Sequence, residues 1–268
     1  MKIVVIGGTG LIGTRVVSQL AAAGHTAVAA SRETGVDSFT GEGLAPELDG
    51  AEVLIDVSNS SYTDEAGAAE FFETSTLNLI TFGEAAGVRH HVALSVVGTD
   101  RLATTQRGYF RAKALQEMLL RDSGRPYSIV HATQFFEFLR SIADAATVTG
   151  GRASRGGGGA SGRSLGHRRP EVRVADALMQ PMAADDVARA VVSVSLGQPL
   201  RGIAEFAGPD RAPLGVFVGR ALAAVDDPRE ADPLARYFGD LLQPGELLPG
   251  PDATIVATRF DDWLRRAS

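Results

Sequence analysis

The chain has no cysteine in its 268 residues. That excludes a disulfide framework, thiolate zinc and iron–sulfur sites, and a cysteine nucleophile together. Lysine is nearly missing too: of 26 basic residues only Lys2 and Lys113 are lysines, and the rest are arginines. No apolar run approaches the ~18 residues of a membrane span. The four apolar residues between Lys2 and Gly7 are too few for the core of a secretory signal. Excess positive charge is absent as well. The formal charge is −6 and the isoelectric point near 5.4, which argues against a general nucleic-acid binder. These absences lead to the expectation of a cytoplasmic protein with no nucleic-acid or membrane partner.

What is present reads as one large domain or one and a half, at roughly 150 residues per domain. Hydrophobic residues make up 44% and charged residues 22%, ordinary for a globular chain. Short apolar β-branched runs at 3–6, 26–30, 52–57, 91–95 and 127–131 alternate with helical spacing at 11–23, 64–86 and 108–123. Strands that are apolar throughout and separated by helices predict a parallel sheet covered on both faces. The expected fold class is therefore α/β, a Rossmann-like doubly wound parallel sheet with a small C-terminal substrate lobe. Residues 1–148 form the expected dinucleotide-binding domain, and 149–170, rich in Gly and Arg, an expected flexible loop. Residues 171–268 carry helix patterns at 184–196, 214–225, 233–242 and 259–266 and a strand at 203–206, expected to contribute to the substrate lobe.

The sequence Gly7-Gly8-Thr9-Gly10-Leu11-Ile12-Gly13 follows the first strand and opens the first helix. In that setting the early glycines permit a tight turn and close approach of backbone to a pyrophosphate, and Gly13 lets helix pack on strand. The helix N-terminus then offers N–H groups and partial positive charge to the phosphates. At the end of the second strand, where NAD sites usually place a carboxylate on the ribose, the chain has Ser31 and Arg32. Arg32 is suited to fork onto a 2′-phosphate, so NADP (as NADPH) is expected over NAD. Asp56, Val57, Ser58 and Asn59 end the third strand and are expected to line the cofactor crevice. No metal site is expected.

Ser95 ends the fourth strand, and Tyr109-Phe110-Arg111-Ala112-Lys113 follows as a YxxxK. Four residues apart on a helix, Tyr109 and Lys113 share a face. A phenol with pKa near 10 is a poor proton donor and acceptor at neutral pH, and a neighbouring ammonium stabilises the phenolate.

With the GGTGLIG turn, Ser95 and the YxxxK, the chain resembles the short-chain dehydrogenase/reductase superfamily. The segments AGVRHHVALSVVG, RPYSIVHATQFFEF and PMAADDVARA look most like its atypical, NmrA-like NAD(P)H-binding branch. The resemblance runs from Met1 to about Leu196 and continues weakly to the C-terminus, and the Gly/Arg stretch is unlike the family. It implies catalytic roles for Ser95, Tyr109 and Lys113. Ser95 would hydrogen-bond a substrate carbonyl oxygen, Tyr109 would give that oxygen its proton, and Lys113 would also reach the nicotinamide ribose. Gln134, Phe135 and Phe136 lie just past the fifth strand, where aromatic rings could wall a flat substrate or simply pack in the core.

The resulting expectation is an NADPH-dependent oxidoreductase that reduces a carbonyl or quinone of a small, aromatic or apolar molecule. The alternatives are a non-catalytic NADP(H)-sensing regulatory protein and a cofactor-dependent isomerase or epimerase. Family analogy allows a monomer or a homodimer.

Overall fold

Consecutive residues of the first strand, β1 (Lys2–Ile6), are buried in opposite directions. Ile3 and Val5 pack with Val16, Leu20, Val187 and Val191, whereas Val4 and Ile6 pack with Leu44, Leu48 and Leu79. A strand buried on both faces needs helices on both, and the sequence supplies them. The computed structural model describes residues 1–60, 64–105, 108–148, 171–235, 242 and 245–267. The Gly/Arg-rich stretch expected to be a flexible loop, 149–170, lies outside the described residues.

After β1 come α1 (Gly13–Ala22), β2 (Thr26–Ala30), α2 (Leu44–Leu48), β3 (Val53–Asp56), α3 (Glu65–Ala85), β4 (His90–Val96), α4 (Thr99–Thr105), α5 (Tyr109–Asp122) and β5 (Tyr127–Ala132). The chain continues through α6 (Leu139–Ala145), β6 (Thr147–Val148), β7 (Glu171–Ala175), β8 (Leu178–Met179), α7 (Ala184–Leu196) and β9 (Ile203–Ala207). It closes with β10 (Ala212–Pro213), α8 (Leu214–Ala223), β11 (Glu230–Ala235), β12 (Thr254–Ile255) and α9 (Phe260–Ala267).

The main sheet has seven parallel strands in the order β2-β1-β3-β4-β5-β9-β12. Helices α1 and α7 cover one face and are tied together by Arg15 Nε donating to Asp185 Oδ1 at 2.9 Å. On the other face α3 packs along α5. Helix α3 starts where Asp64 Oδ1 accepts the Gly67 N–H at 2.9 Å, satisfying one of the first-turn donors. The chain leaves β1 for β2 on one side and reaches β3 on the other, which opens a crevice at the carboxyl ends of these strands. Among the described residues no helix is long and apolar enough to cross a membrane.

Two expectations about the second half need correction. The parallel sheet is not completed within 1–148, because β9 and β12 extend it beyond β5. The register Ile129↔Ile203 to Ala132↔Phe206 pairs the polar backbone edge that β5 would otherwise leave open. The helix expected from Pro233 is instead, up to Ala235, the strand β11. It runs parallel to β7 from Glu230↔Glu171, with a shift of register between Asp232 and Ala235. Strands β11, β7 and β6 form a separate small sheet. Beside it an aromatic cluster fills the second core, with Phe136 and Phe217 ring centroids 5.0 and 5.1 Å from that of Phe260.

Candidate functional site

The glycine turn is built by steric necessity. Gly7 has φ +77°, and a Cβ there would stand 2.9 Å from the Ser58 backbone nitrogen. A Cβ on Gly8 would lie 2.6 Å from Ala29 Cα, and one on Gly13 would lie 2.1 Å from the Gly7 carbonyl oxygen. Gly7, Thr9, Gly10, Leu11 and Ile12 line a cleft, whereas Gly8 and Gly13 do not. Those two expected cofactor contacts are packing positions that let β2 and α1 close around the turn. Helix α1 has no side-chain cap and no acidic residue in its first turn. Its positive end is therefore left for an anion arriving in the cleft.

The cleft holds about 1630 Å³ and crosses the carboxyl ends of β1, β3, β4 and β5. Drug-sized pockets occupy about 300–1,000 Å³, so there is room here for a dinucleotide and a small second molecule. Ser31 and Arg32 line it at the end of β2, and Thr9 Oγ1 donates to Ser31 Oγ at 3.1 Å across the turn. Arg32 is exposed there beside Glu33. Val57, Ser58 and Asn59 line it at the end of β3. Asp56 does not. Its buried carboxylate accepts the Ser58 N–H and hydroxyl at 2.9 and 2.6 Å and the Gln116 amide at 2.8 Å. Asp56 therefore shapes the loop from beneath.

Tyr109 and Lys113 come up from α5 on one face, as their spacing predicts, and both line the cleft. Tyr109 Oη donates to Asn59 Oδ1 at 3.0 Å, joining α5 to the β3 loop. Lys113 is 2% exposed. Its ammonium donates to the Leu94 carbonyl at 2.7 Å and to the Gln116 side-chain oxygen. It also stands 4.5 Å from the Phe72 ring centroid. Burial pushes its pKa down from 10.5 to about 8, against the pull of Asp56 and Glu117, which favour the charged form. At neutral pH it is still mostly an ammonium.

Ser95 lines the cleft at the end of β4, but its proton is already committed. Its hydroxyl donates to Glu117 Oε1 at 2.6 Å. Sequence reasoning missed Glu117, which lies on α5 four residues before Arg121 and looks like half of a surface ion pair. The structure buries it to 2% exposure. Its other oxygen accepts from Arg121 at 2.7 Å, and His131 Nε2 lies 2.8 Å from Oε1. Burial opposes ionisation of Glu117, but hydrogen bonds from His131 and Ser95 and the Arg121 charge prevail, so its pKa falls below the usual range. Burial also works against a charged His131, yet its contacts with Glu117 and Glu205 raise its pKa.

Gln134 and Phe135 line the cleft beyond β5, and the Phe135 and Phe138 rings stack with centroids 5.4 Å apart. Phe136 does not line it. It points from the same turn into the second core, against Phe260 and Trp263, so its expected substrate role is withdrawn. Past Phe138 the cleft wall is largely apolar, with Ile142, Ala146, Val174 and Leu214, and Arg173 stands among them.

Comparison with known proteins agrees with this architecture. No protein-family model matches the chain. It is 29% identical over 153 residues to the photosystem II assembly factor Ycf39 of Cyanophora paradoxa, covering 52% of this chain and 47% of that protein. It is 31% identical over 153 residues to the protein of the same name from Synechocystis, covering 52% and 46%. The matches thus span about half the length of these curated relatives. Among solved structures, a short-chain dehydrogenase/reductase superfamily protein from Agrobacterium tumefaciens with bound NAD superposes with TM-score 0.65 at 15% identity, covering 100% of this chain and 96% of the other. UDP-N-acetylglucosamine 4-epimerase from Bacillus cereus gives 0.67 at 15% identity with the same coverage. The dTDP-4-dehydrorhamnose reductase of Bacillus anthracis, in complex with NADP, gives 0.62 at 13%, covering 90% of each chain. This chain shares the fold of these solved structures.

Proposed function

We propose that the protein is an NADPH-dependent oxidoreductase of the NmrA-like branch, acting on the carbonyl–alcohol pair of a small aromatic or apolar molecule. The observation that carries this reading is the joint placement of Tyr109 and Lys113 in a cleft that also holds the glycine turn. The residues fit a nicotinamide dinucleotide. A Cβ at Gly7 would press on the Ser58 backbone at the cleft wall, the start of α1 carries no side-chain cap and would offer its N–H groups to a pyrophosphate, and Arg32 with Ser31 suits a 2′-phosphate. The cofactor would supply or accept the hydride.

The chain's own residues supply the rest. Tyr109 transfers the proton at the reacting oxygen, and the buried Lys113 ammonium holds the phenol ready to ionise. Asn59 orients the Tyr109 hydroxyl before substrate arrives. Phe135, Phe138, Ile142 and Leu214 offer an apolar wall to the substrate body and exclude water from it. Nucleotide binding and NADPH oxidation against a panel of aryl ketones, aldehydes and quinones test the reading. The expected result is preference for NADPH over NADH and turnover of at least one aromatic substrate.

A second reading is favoured by the similarity to proteins named photosystem II assembly factors. On that reading the chain binds the dinucleotide and acts through a protein partner. Tight NADPH binding without turnover of any panel member would select it.

A further inference from the structure

Two chains of hydrogen bonds leave the buried Asp56 carboxylate at the end of β3, and each ends on one member of the YxxxK pair. The first starts at Oδ1, which accepts the Ser58 N–H at 2.9 Å and the Ser58 hydroxyl at 2.6 Å. These bonds fold the loop after β3, and the next residue, Asn59, presents its Oδ1 to the Tyr109 hydroxyl at 3.0 Å. The second starts at Oδ2, which accepts from Gln116 Nε2 at 2.8 Å. The Gln116 side-chain oxygen in turn accepts from the Lys113 ammonium. Asp56 and Gln116 are each 1% exposed, which shelters both of these bonds from bulk water.

The chemistry of the partners fixes the sense of the second chain. An ammonium only donates and a carboxylate only accepts, whereas a carboxamide does both, one at each end. Gln116 therefore satisfies both neighbours in one orientation, with its NH2 towards Asp56 and its oxygen towards Lys113. The other acceptor of the ammonium, the Leu94 carbonyl at 2.7 Å, belongs to the backbone of β4 and cannot turn away. Gln116 can, and its bond to Asp56 holds its oxygen in place. We infer that Asp56 is the positioning residue shared by Tyr109 and Lys113, holding the phenol through the Ser58–Asn59 turn and the ammonium through Gln116. It does so from outside the cleft, touching neither substrate nor cofactor. The charged and titratable groups facing Lys113 are Asp56 from β3 and, on its own helix, Glu117 and Tyr109. Helix α3 adds the uncharged Phe72 ring. His91 on β4 lies near Asp56, but burial pushes its pKa down to about 4, so it is neutral where Lys113 titrates. The effect on Lys113 follows from the bonds alone, and the effect on turnover rests on the oxidoreductase reading of the cleft.

Asp56→Asn keeps an oxygen for Ser58 but sets an NH2 where Oδ2 stood. The Gln116 amide must then turn its oxygen to the new NH2 and its own NH2 to the ammonium, donor against donor. The readout is the side-chain NMR titration of lysine-labelled full chain without ligand, in which Lys2 and Lys113 are the only lysines and Lys2→Arg assigns them. The Lys113 midpoint, near 8 in wild type, should fall by about one unit or more in Asp56→Asn. Gln116→Met, which removes the amide and keeps the bulk, should lower it too. Asp56→Asn added to Gln116→Met should then shift it clearly less than Asp56→Asn does alone. An unmoved midpoint in either single variant overturns the inference. So do shifts that simply add in the double variant, because Asp56 would then act as a distant charge and not through Gln116. A variant that fails to fold declares itself by a midpoint near 10.5, and the remaining single variant decides by whether its midpoint falls.

Turnover separates the inference from the reading beneath it. In Asp56→Asn the alkaline fall of kcat should move to lower pH together with the Lys113 midpoint. A midpoint that falls while the kcat profile stays in place would take Asp56 out of the reaction and overturn the inference. Ser58→Ala weakens the other chain, so at saturating NADPH kcat should fall several-fold with the Lys113 midpoint unmoved. An unchanged kcat there would overturn the shared role. If the midpoints behave as stated and no aromatic ketone, aldehyde or quinone is turned over, the hold of Asp56 on Lys113 stands and the oxidoreductase reading fails.

Discussion

The Lys113 ammonium sits 4.5 Å from the centre of the Phe72 ring, and that ring meets Tyr109 edge-on with centroids 6.0 Å apart. One phenylalanine from α3 thus packs against both members of the YxxxK pair. It shields the ammonium from water while its π face partly replaces the lost hydration. The cost that remains appears in the titration of Lys113.

Unfolded, Lys113 titrates near 10.5, and folded near 8. Between these values the unfolded chain binds more protons, so stability rises as pH increases from about 8 to 10.5. Below pH 8 the penalty of burying the charge is present in full. The linkage allows up to about 3 kcal/mol over that window. Urea unfolding of wild type and Lys113→Met from pH 7 to 10.5 should show the gap between them changing across it in wild type's favour. A difference that stays flat with pH would contradict the burial assigned to Lys113. Turnover should fall through the same region, because the charge that favours the Tyr109 phenolate is lost above about pH 8.

Gly13→Ala tests the turn. Its methyl would lie 2.1 Å from the Gly7 oxygen and 2.6 Å from Gly8 Cα. Backbone cannot yield as a flexible side chain does, so the loss should reach or exceed about 1–3 kcal/mol. Denaturant midpoints measure it, and nucleotide affinity should fall with it. A variant as stable as wild type would mean the turn relaxes freely.

Arg32→Glu tests the cofactor preference. Placing a carboxylate where a 2′-phosphate would lie removes a charge-assisted bond and adds repulsion. Calorimetry should show NADPH binding weakened by about ten- to a hundredfold, with NADH unchanged or slightly tighter. Equal dissociation constants for NADPH in the two proteins would remove the assignment.

Much of this was legible in the residues themselves. Thr26–Ala30 and Ala184–Leu196 were readable to the residue because apolar runs and a charged helix start are local signals. The glycine turn and the Tyr109–Lys113 face were local in the same sense. What could not be read depends on distant partners. Glu230–Ala235 is a strand because Glu171–Ala175 offers it an edge, and nothing in its own helix-like composition announces that. Glu117 looks solvated beside Arg121 until β4 and β5 close over it and bring Ser95 and His131 to one oxygen. Phe135 and Phe136 are chemically identical neighbours, and only the turn after β5 sends one to the cleft and the other to the core.

The central claim is that the cleft performs hydride transfer with Tyr109 moving the proton. Steady-state NADPH oxidation by wild type and Tyr109→Phe, with the best substrate of the aromatic panel at pH 7, tests it most directly. The phenylalanine keeps the ring contacts with Phe72 and Phe110 and removes only the hydroxyl. Loss of a general acid predicts kcat lower by about 10²–10⁴-fold, with NADPH affinity unchanged within about twofold. Equal kcat in the two proteins would contradict the account.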